Sequence, residues 1–288
     1  MERYAFAAMG TWVECLVDAP FSRALRAGMG RVHGEFHRLE LLLSRFRPES
    51  ELSRLNRERR IEASNDLREV VTLALEARIA TGGRFDPTLH DALVGAGYDR
   101  SFDQLQRDGA VRSDSGAPAG GEVTMRGRHV ELSPGASLDL GGIAKGFAAD
   151  RCAEQLATFG PALVNAGGDL AVSGPRADGP WPVAVELPAD RLTLGIARGG
   201  LATSGRDRRR WRRGGEERHH LIDPATLQPA QGGPLSVTVG AASATAAEVS
   251  AKSVFLAGEA AELEAERAQI PAVIVCDDGS VRLVGGLR

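Results

Sequence analysis

Residues 137–150 read SLDLGGIAKGFAAD. An apolar run carrying an acid enters two glycines, and helical character begins at once. Gly141 and Gly142 permit close backbone approach, and the amides at the start of a helix from Ile143 form an anion site that the helix dipole reinforces. Lys145 falls in the first helical turn, where a cation is unfavourable unless an anion compensates it. Asp139 is placed to meet a hydroxyl or a ring N–H. Asp150, two turns on, reads as a solvated residue on another face. The stretch reads equally as a tight loop before an amphipathic helix. It is neither GxxxxGK[ST] nor GxGxxG, so neither standard nucleotide motif applies.

Around this turn lie 288 residues, enough for one large domain or two small ones. The net charge of −3 gives no electrostatic case for nucleic acid or an anionic membrane. Lysine occurs only at Lys145 and Lys252, against many arginines, which makes both conspicuous. Cys15, Cys152 and Cys276 are scattered and odd in number, so they read as reduced thiols rather than a disulfide framework or zinc site. The N-terminal residues carry an acid and no long apolar run, so neither a signal peptide nor a membrane span is expected, and the location expected is cytoplasmic.

Periodicity places a strand over residues 4–18 with a bend at Gly10. A helix capped by Ser22 follows, with Leu25, Met29, Val32, Phe36, Leu39 and Leu43 on one face. "SRFRPESELSRLN" reads as a polar connection. A second helix is capped by Asn65 or Asp66 and ends at Gly82-Gly83. Residues 107–122 read as a loop and possible domain boundary. Further on, strands are expected at 129–133, 162–165, 169–173, 182–187, 192–197, 218–222, 235–242 and 272–276, with helices at 143–159 and 246–263. "LVNAGGDLAVSG" (163–174) reads as a hairpin with Asn165 and Asp169 beside its turn. Residues 201–224 read as a long hairpin turning at Gly214-Gly215, its arginine run more a solvated face than a binding patch. "DDGS" (277–280) is a hairpin turn. Short strands without strict βαβ alternation indicate an α+β fold.

Within "AAEVSAKSVFLAG" (246–258), Glu248 and Lys252 stand four residues apart on a helix that is apolar on most sides. A buried pair is costly unless it has a task, so Lys252 reads as a phosphate ligand tethered by Glu248.

Together these segments resemble the ApbE-type flavin transferases, FAD:protein FMN transferases. "AMGTW" is similar to the family's MGT element, and "LLLSRFRPESELSRLN" to S-x-F-x-P-x-S-E-L-S-x-L-N. "GGRFDPTLHDAL" is similar to G-x-F-D-P-T, and "LDLGGIAKGFAAD" to D-L-G-G-I-A-K-G-x-x-x-D. "LVNAGGDLAVSG", "LATSG" and "HHLIDPATLQPA" resemble N-x-G-G-D, T-S-G and H-x-I-D-P. The resemblance implies a single α+β domain over residues 1–288, with mixed and antiparallel sheets flanked by helices and two lobes that bind FAD between them. It implies transfer of FMN from FAD to a threonine hydroxyl of a flavoprotein, with release of AMP. An FAD pyrophosphatase giving FMN and AMP, and an FAD-binding protein without transferase activity, are the other readings.

By position, FAD contacts are expected from Met9, Phe46, Phe85, Asp86, Pro87, Asp139, Gly142, Lys145 and Ile222. Phe46 stands where the family uses tyrosine. His220 is expected in an acid–base or orienting role, and Lys252 as a catalytic cation. Family members take Mg²⁺ near the glycine turn and at A-D-x-x-x-T of the last helix. The corresponding positions here are Gly142, Glu248 and Lys252, so Glu replaces Asp and Lys replaces Thr. A protonated ammonium cannot coordinate a divalent ion. Mg²⁺ is therefore doubtful, and Lys252 is expected to replace the metal's charge. Leu227 is a second departure, where the family often has glycine.

Overall fold

The computed structural model describes residues 1–105, 108–109 and 120–287, so most of the loop expected at 107–122 lies outside the described residues. Along the chain run β1 (Glu2–Ala8), β2 (Thr11–Val17), α1 (Arg23–Leu43), α2 (Glu51–Glu58), β3 (Arg60–Glu62), α3 (Asn65–Ala80) and α4 (His90–Gly95). Then come β4 (Asp108–Gly109), β5 (Val123–Arg126), β6 (His129–Leu132), α5 (Ala144–Leu156), β7 (Ala162–Ala166) and β8 (Asp169–Val172). β9 (Trp181–Glu186), β10 (Arg191–Ile196), β11 (Gly199–Gly205), β12 (Arg210–Arg213) and β13 (Glu216–His219) follow. The chain closes with β14 (Ile222–Asp223), β15 (Gln228–Pro229), β16 (Ser236–Ala241), α6 (Ala244–Leu256), α7 (Ala261–Arg267), β17 (Ala272–Val275) and β18 (Val281–Val284). The fold is α+β, as expected. It divides into two compact units, one formed by residues 1–40, 143–204 and 233–288, the other by 41–142 and 205–232.

The first unit is built on an eight-stranded sheet of order β1-β2-β7-β8-β11-β16-β17-β18. The single bent strand expected at 4–18 is two strands. Met9 and Gly10 both take positive φ, 51° and 65°, which closes a two-residue hairpin with Ala8 opposite Thr11. Ser22 caps α1 as expected, its Oγ accepting the Leu25 N–H at 3.0 Å, and the six apolar residues of the expected face are buried. Side-chain alternation divides the labour on β8. Asp169 points to the side of α5, while Leu170 and Val172 point to the other, where Trp181, Val183 and Val185 of β9 cover them. Both faces are therefore covered, which is why β7 and β8 read as continuous apolar runs.

α5 packs against β7 and β8, and α5 and α6 pack against each other. Their approach is set by glycine. A Cβ on Gly146 would lie 2.7 Å from the Ala244 carbonyl oxygen, and one on Gly200 2.2 Å from the Ala244 nitrogen. Asp150 is not a solvated bystander. Its Oδ1 accepts the Ala244 N–H at 2.7 Å, and its Oδ2 accepts the Thr245 N–H at 2.8 Å and the Thr245 hydroxyl at 2.6 Å. A carboxylate from one helix thus caps the next and meets its dipole.

The second unit holds the three-stranded sheet β3-β6-β5, helices α2 to α4, and the β12–β13 hairpin, with β4 beside β12. The "SRFRPESELSRLN" connection contains α2. Ser50 Oγ accepts the Ser53 N–H at 3.0 Å, and Leu52 and Leu55 are buried. The cap of α3 is Ser64, one residue before the expected Asn65. The arginine run turns at Gly214-Gly215 as expected. Its inner residue is Trp211, buried among Tyr98, Leu89, Leu93 and Ile222, while Arg210 pairs with Glu217 on the exposed face. β11 is not part of that hairpin; it belongs to the large sheet.

The glycine contact gives a prediction with a definite sign. Alanine would improve helix propensity at position 146 by about 1 kcal/mol. The backbone it would strike cannot swing aside like a side chain, so overpacking outweighs propensity. Gly146→Ala should lower stability by about 1–3 kcal/mol in urea unfolding. A variant as stable as wild type would show that α5 and α6 are not held at this distance.

Candidate functional site

The turn at 137–150 is fixed residue by residue. Asn56 grips the strand before it on both sides, donating from Nδ2 to the Leu138 carbonyl and accepting the Leu138 N–H, each at 2.8 Å. Pro87 O accepts the Asp139 N–H at 2.8 Å. Asp139 Oδ1 accepts the Gly141 N–H at 2.8 Å, and Oδ2 pairs with Arg45 Nε at 2.5 Å. Gly142 is buried at the end of this run. Sequence reasoning missed Arg45 and Asn56, although both lie inside a segment it singled out.

The start of α5 holds one of the protein's own anions. In the first unit, Glu248 Oε2 accepts the Gly146 N–H at the start of α5 at 2.9 Å. Its Oε1 pairs with Lys145 Nζ. Lys145 also lies 3.0 Å from Asp169 Oδ2. Both carboxylates are 5% exposed. The first-turn lysine is thus compensated by two buried acids, one from α6 and one from β8. The Glu248 carboxylate therefore meets Lys145 and the Gly146 amide on α5. Lys252, one turn further along α6, is half-buried.

The other expected residues fall in place as follows. Met9 sits at positive φ in the β1–β2 turn, and its N–H donates to Glu40 Oε2 at 2.8 Å. Phe46 is 38% exposed and tilts against Tyr98 with ring centroids 5.5 Å apart. Phe85 and Pro87 are buried, and Asp86 accepts from Thr88 N–H and Oγ at 2.8 and 2.7 Å and pairs with Arg78 at 3.2 Å. These three therefore shape the backbone that carries Asp139. Ile222 is a core residue beside Trp211. Leu227, in place of the family's glycine, takes φ 59°, the left-handed region that favours glycine.

His220 is half-buried, and its neighbour His219 is the more constrained of the two. His219 Nε2 donates to Ala230 O at 2.8 Å, and its Nδ1 accepts the Leu221 N–H at 3.3 Å, which selects the neutral Nε2–H form. Burial holds its pKa below the ordinary histidine value. Cys15 is pushed up to about 12, and burial raises Cys152 further, so neither supplies a thiolate nucleophile.

Residues 9–274 match the model of the ApbE family, so the chain belongs to that family. A FAD:protein FMN transferase of Salmonella typhimurium is 30% identical over 259 residues, covering 83% of this chain and 74% of the relative. One of Rhodobacter capsulatus is 33% identical over 211 residues, where the match covers 69% of this chain and only 40% of the relative. The structure is similar to the ApbE protein of Thermotoga maritima, with TM-score 0.86, 26% identity, and coverage of 98% of this chain and 96% of the other. It is also similar to the apo flavinyl transferase ApbE of Pseudomonas stutzeri, with TM-score 0.84, 25% identity, and coverage of 98% and 94%. No helix among the described residues is long and apolar enough to cross a membrane.

Two predictions follow from these side chains. In a double-mutant cycle of Lys145→Met and Glu248→Gln, the coupling measured by urea unfolding should exceed about 1.5 kcal/mol, because either single change strands a buried charge or polar group. Additive losses would show the pair to be unimportant. For His219, the unfolded side chain binds its proton near the ordinary value of about 6.5, the folded one only at lower pH. The unfolded state therefore takes up more protons below that pH. Stability should fall as the pH drops from about 6.5 through the folded value, and His219→Gln, which keeps a donor for Ala230, should fall less steeply. Equal slopes would exclude His219 as the cause.

Proposed function

We propose that this chain transfers FMN from FAD to a threonine hydroxyl of a flavoprotein acceptor. The observation that carries the reading is Lys145, held by Glu248 and Asp169 at the start of α5 in a chain of the ApbE family. Phosphoryl transfer asks mainly for positioning and for neutralisation of charge on the phosphate oxygens. The threonine Oγ attacks the FMN phosphorus, the bond from that phosphorus to the bridging oxygen breaks, and AMP leaves with the electron pair. His220 takes the hydroxyl proton or orients the hydroxyl, an assignment supported by the resemblance. FAD contacts are assigned to Met9, Phe46, Asp139, Gly142, Lys145 and Ile222, with Phe85, Asp86 and Pro87 as support.

The family positions for Mg²⁺ do not suit a divalent ion in this chain. Both Glu248 oxygens are engaged, and the protonated ammonium at 252 has no lone pair to give. Among the described residues, no group of three or more His, Cys, Asp or Glu could hold a metal. No step is routed through a metal, and Lys145 and Lys252 supply the positive charge. Stoichiometric Mg²⁺ found by elemental analysis and titration would overturn that part.

Incubating the protein with FAD and a candidate flavoprotein should add FMN to the acceptor by intact mass and release AMP. Lys145→Ala and Lys252→Ala should each slow transfer by about 100-fold or more. Hydrolysis of FAD to FMN and AMP regardless of acceptor would make the protein a pyrophosphatase. Tight FAD binding without turnover across acceptors and divalent ions would make it a binding protein. Either result overturns the transferase reading.

A further inference from the structure

We infer that Arg45 is a positioning residue for FAD, acting through Asp139. This rests on the reading of the protein as an FAD-binding member of its family. Arg45 follows α1 in "SRFRP", and its side chain is only 5% exposed. Burying a guanidinium is costly, and it needs partners that fix it in one pose. Nε pairs with Asp139 Oδ2 at 2.5 Å, and Nη1 donates to the Tyr98 carbonyl at 2.7 Å. The guanidinium carbon lies 4.2 Å from the ring centre of Phe46 and 4.6 Å from that of Tyr98. Tyr98 is in turn set 5.3 Å from Trp211, whose Nε1 donates to the Ala96 carbonyl at 3.0 Å.

Arg45 is therefore a hub in the second unit. It orients the carboxylate of Asp139 and supports the ring of Phe46, two residues assigned to FAD by their positions. Nη2 is buried and has no hydrogen-bond partner among the described residues. An unmet buried donor costs about 1–3 kcal/mol. A purely structural role would be served more cheaply by a shorter or uncharged side chain. Arginine alone combines a planar face for two rings with a fork that reaches a carboxylate and a carbonyl at once. The Asp139 side chain is 14% exposed, more than that of Arg45, so the carboxylate and not the guanidinium is the group open to a ligand. The carboxylate is thus held in one orientation, in which it would meet a hydroxyl or ring N–H of the dinucleotide.

FAD affinity measured by fluorescence titration, with thermal melts alongside, tests this. Arg45→Met and Asp139→Asn should each weaken FAD binding by about 10-fold, and the double variant should be no weaker than the worse single. Arg45→Lys keeps the charge but not the fork, and should fall between wild type and Arg45→Met. In steady state the loss should appear in KM for FAD, with kcat changed less. Wild-type affinity in Arg45→Met or Arg45→Lys would overturn the inference while leaving the transferase reading intact. Multiplying losses in the double variant would also overturn it, since Arg45 would then act independently of Asp139. Failure of the wild-type protein to bind FAD would instead remove the reading itself, and the inference with it.

Discussion

A lysine in the first turn of α5 is the constraint on which the first unit depends. The exposed amides at a helix start repel a cation, and burial adds a desolvation cost. Lys145 is tolerated because Glu248 and Asp169 meet it, and each of those acids would be worse placed without it. The demand propagates outward. Glu248 has to approach from α6, so α6 lies close against α5, where glycine at 146 leaves room, and glycine at 200 leaves room for the start of α6 over β11. The closeness then lets Asp150 cap α6, so each helix supplies a carboxylate to the other's N-terminus. The two acids of this exchange, with Ser243 at the cap of α6, account for the local order of the whole corner.

The second unit solves a similar problem by other means. Its buried cation is Arg45, which is matched by one carboxylate, one carbonyl and two aromatic rings. The segment that delivers Asp139 is fixed by the Asn56 side-chain amide on Leu138 and by the Pro87 carbonyl, which accepts the Asp139 N–H, so the carboxylate arrives at a defined place. A short sequence motif here marks a backbone clamp. Asp86 illustrates this: its carboxylate is turned inward to Thr88 and Arg78, and its segment contributes a carbonyl.

Local signals were legible in the sequence, and long-range ones were not. The Ser22 cap, the face of α1, the Gly167-Gly168, Gly214-Gly215 and Gly279 turns, and the α+β class all follow from spacing and turn chemistry. The β1–β2 hairpin was read as one strand because Met9-Gly10 lacks the usual Asn-Gly or Asp-Gly pair. Asp150 looked solvated because its partners lie 94 and 95 residues away. Arg45 stayed hidden among many arginines for the same reason, since Asp139 and Tyr98 are remote in sequence. The i, i+4 spacing of Glu248 and Lys252 is visible in a sequence, whereas the contact of Glu248 with α5 is not.

That capture bears on the substitution at 248. The family pattern that this segment resembles has aspartate there, one methylene shorter. A glutamate extends further from α6, far enough for its two oxygens to divide between an amide and an ammonium on α5. Both oxygens then face donors, and one of these is an ammonium whose charge opposes the approach of a divalent cation. The second change, lysine for threonine at 252, removes a hydroxyl ligand and adds a charge of the sign the ion would have carried. The two substitutions are therefore consistent as a pair. One brings the carboxylate to α5, and the other places a cation of the chain itself one turn further along α6.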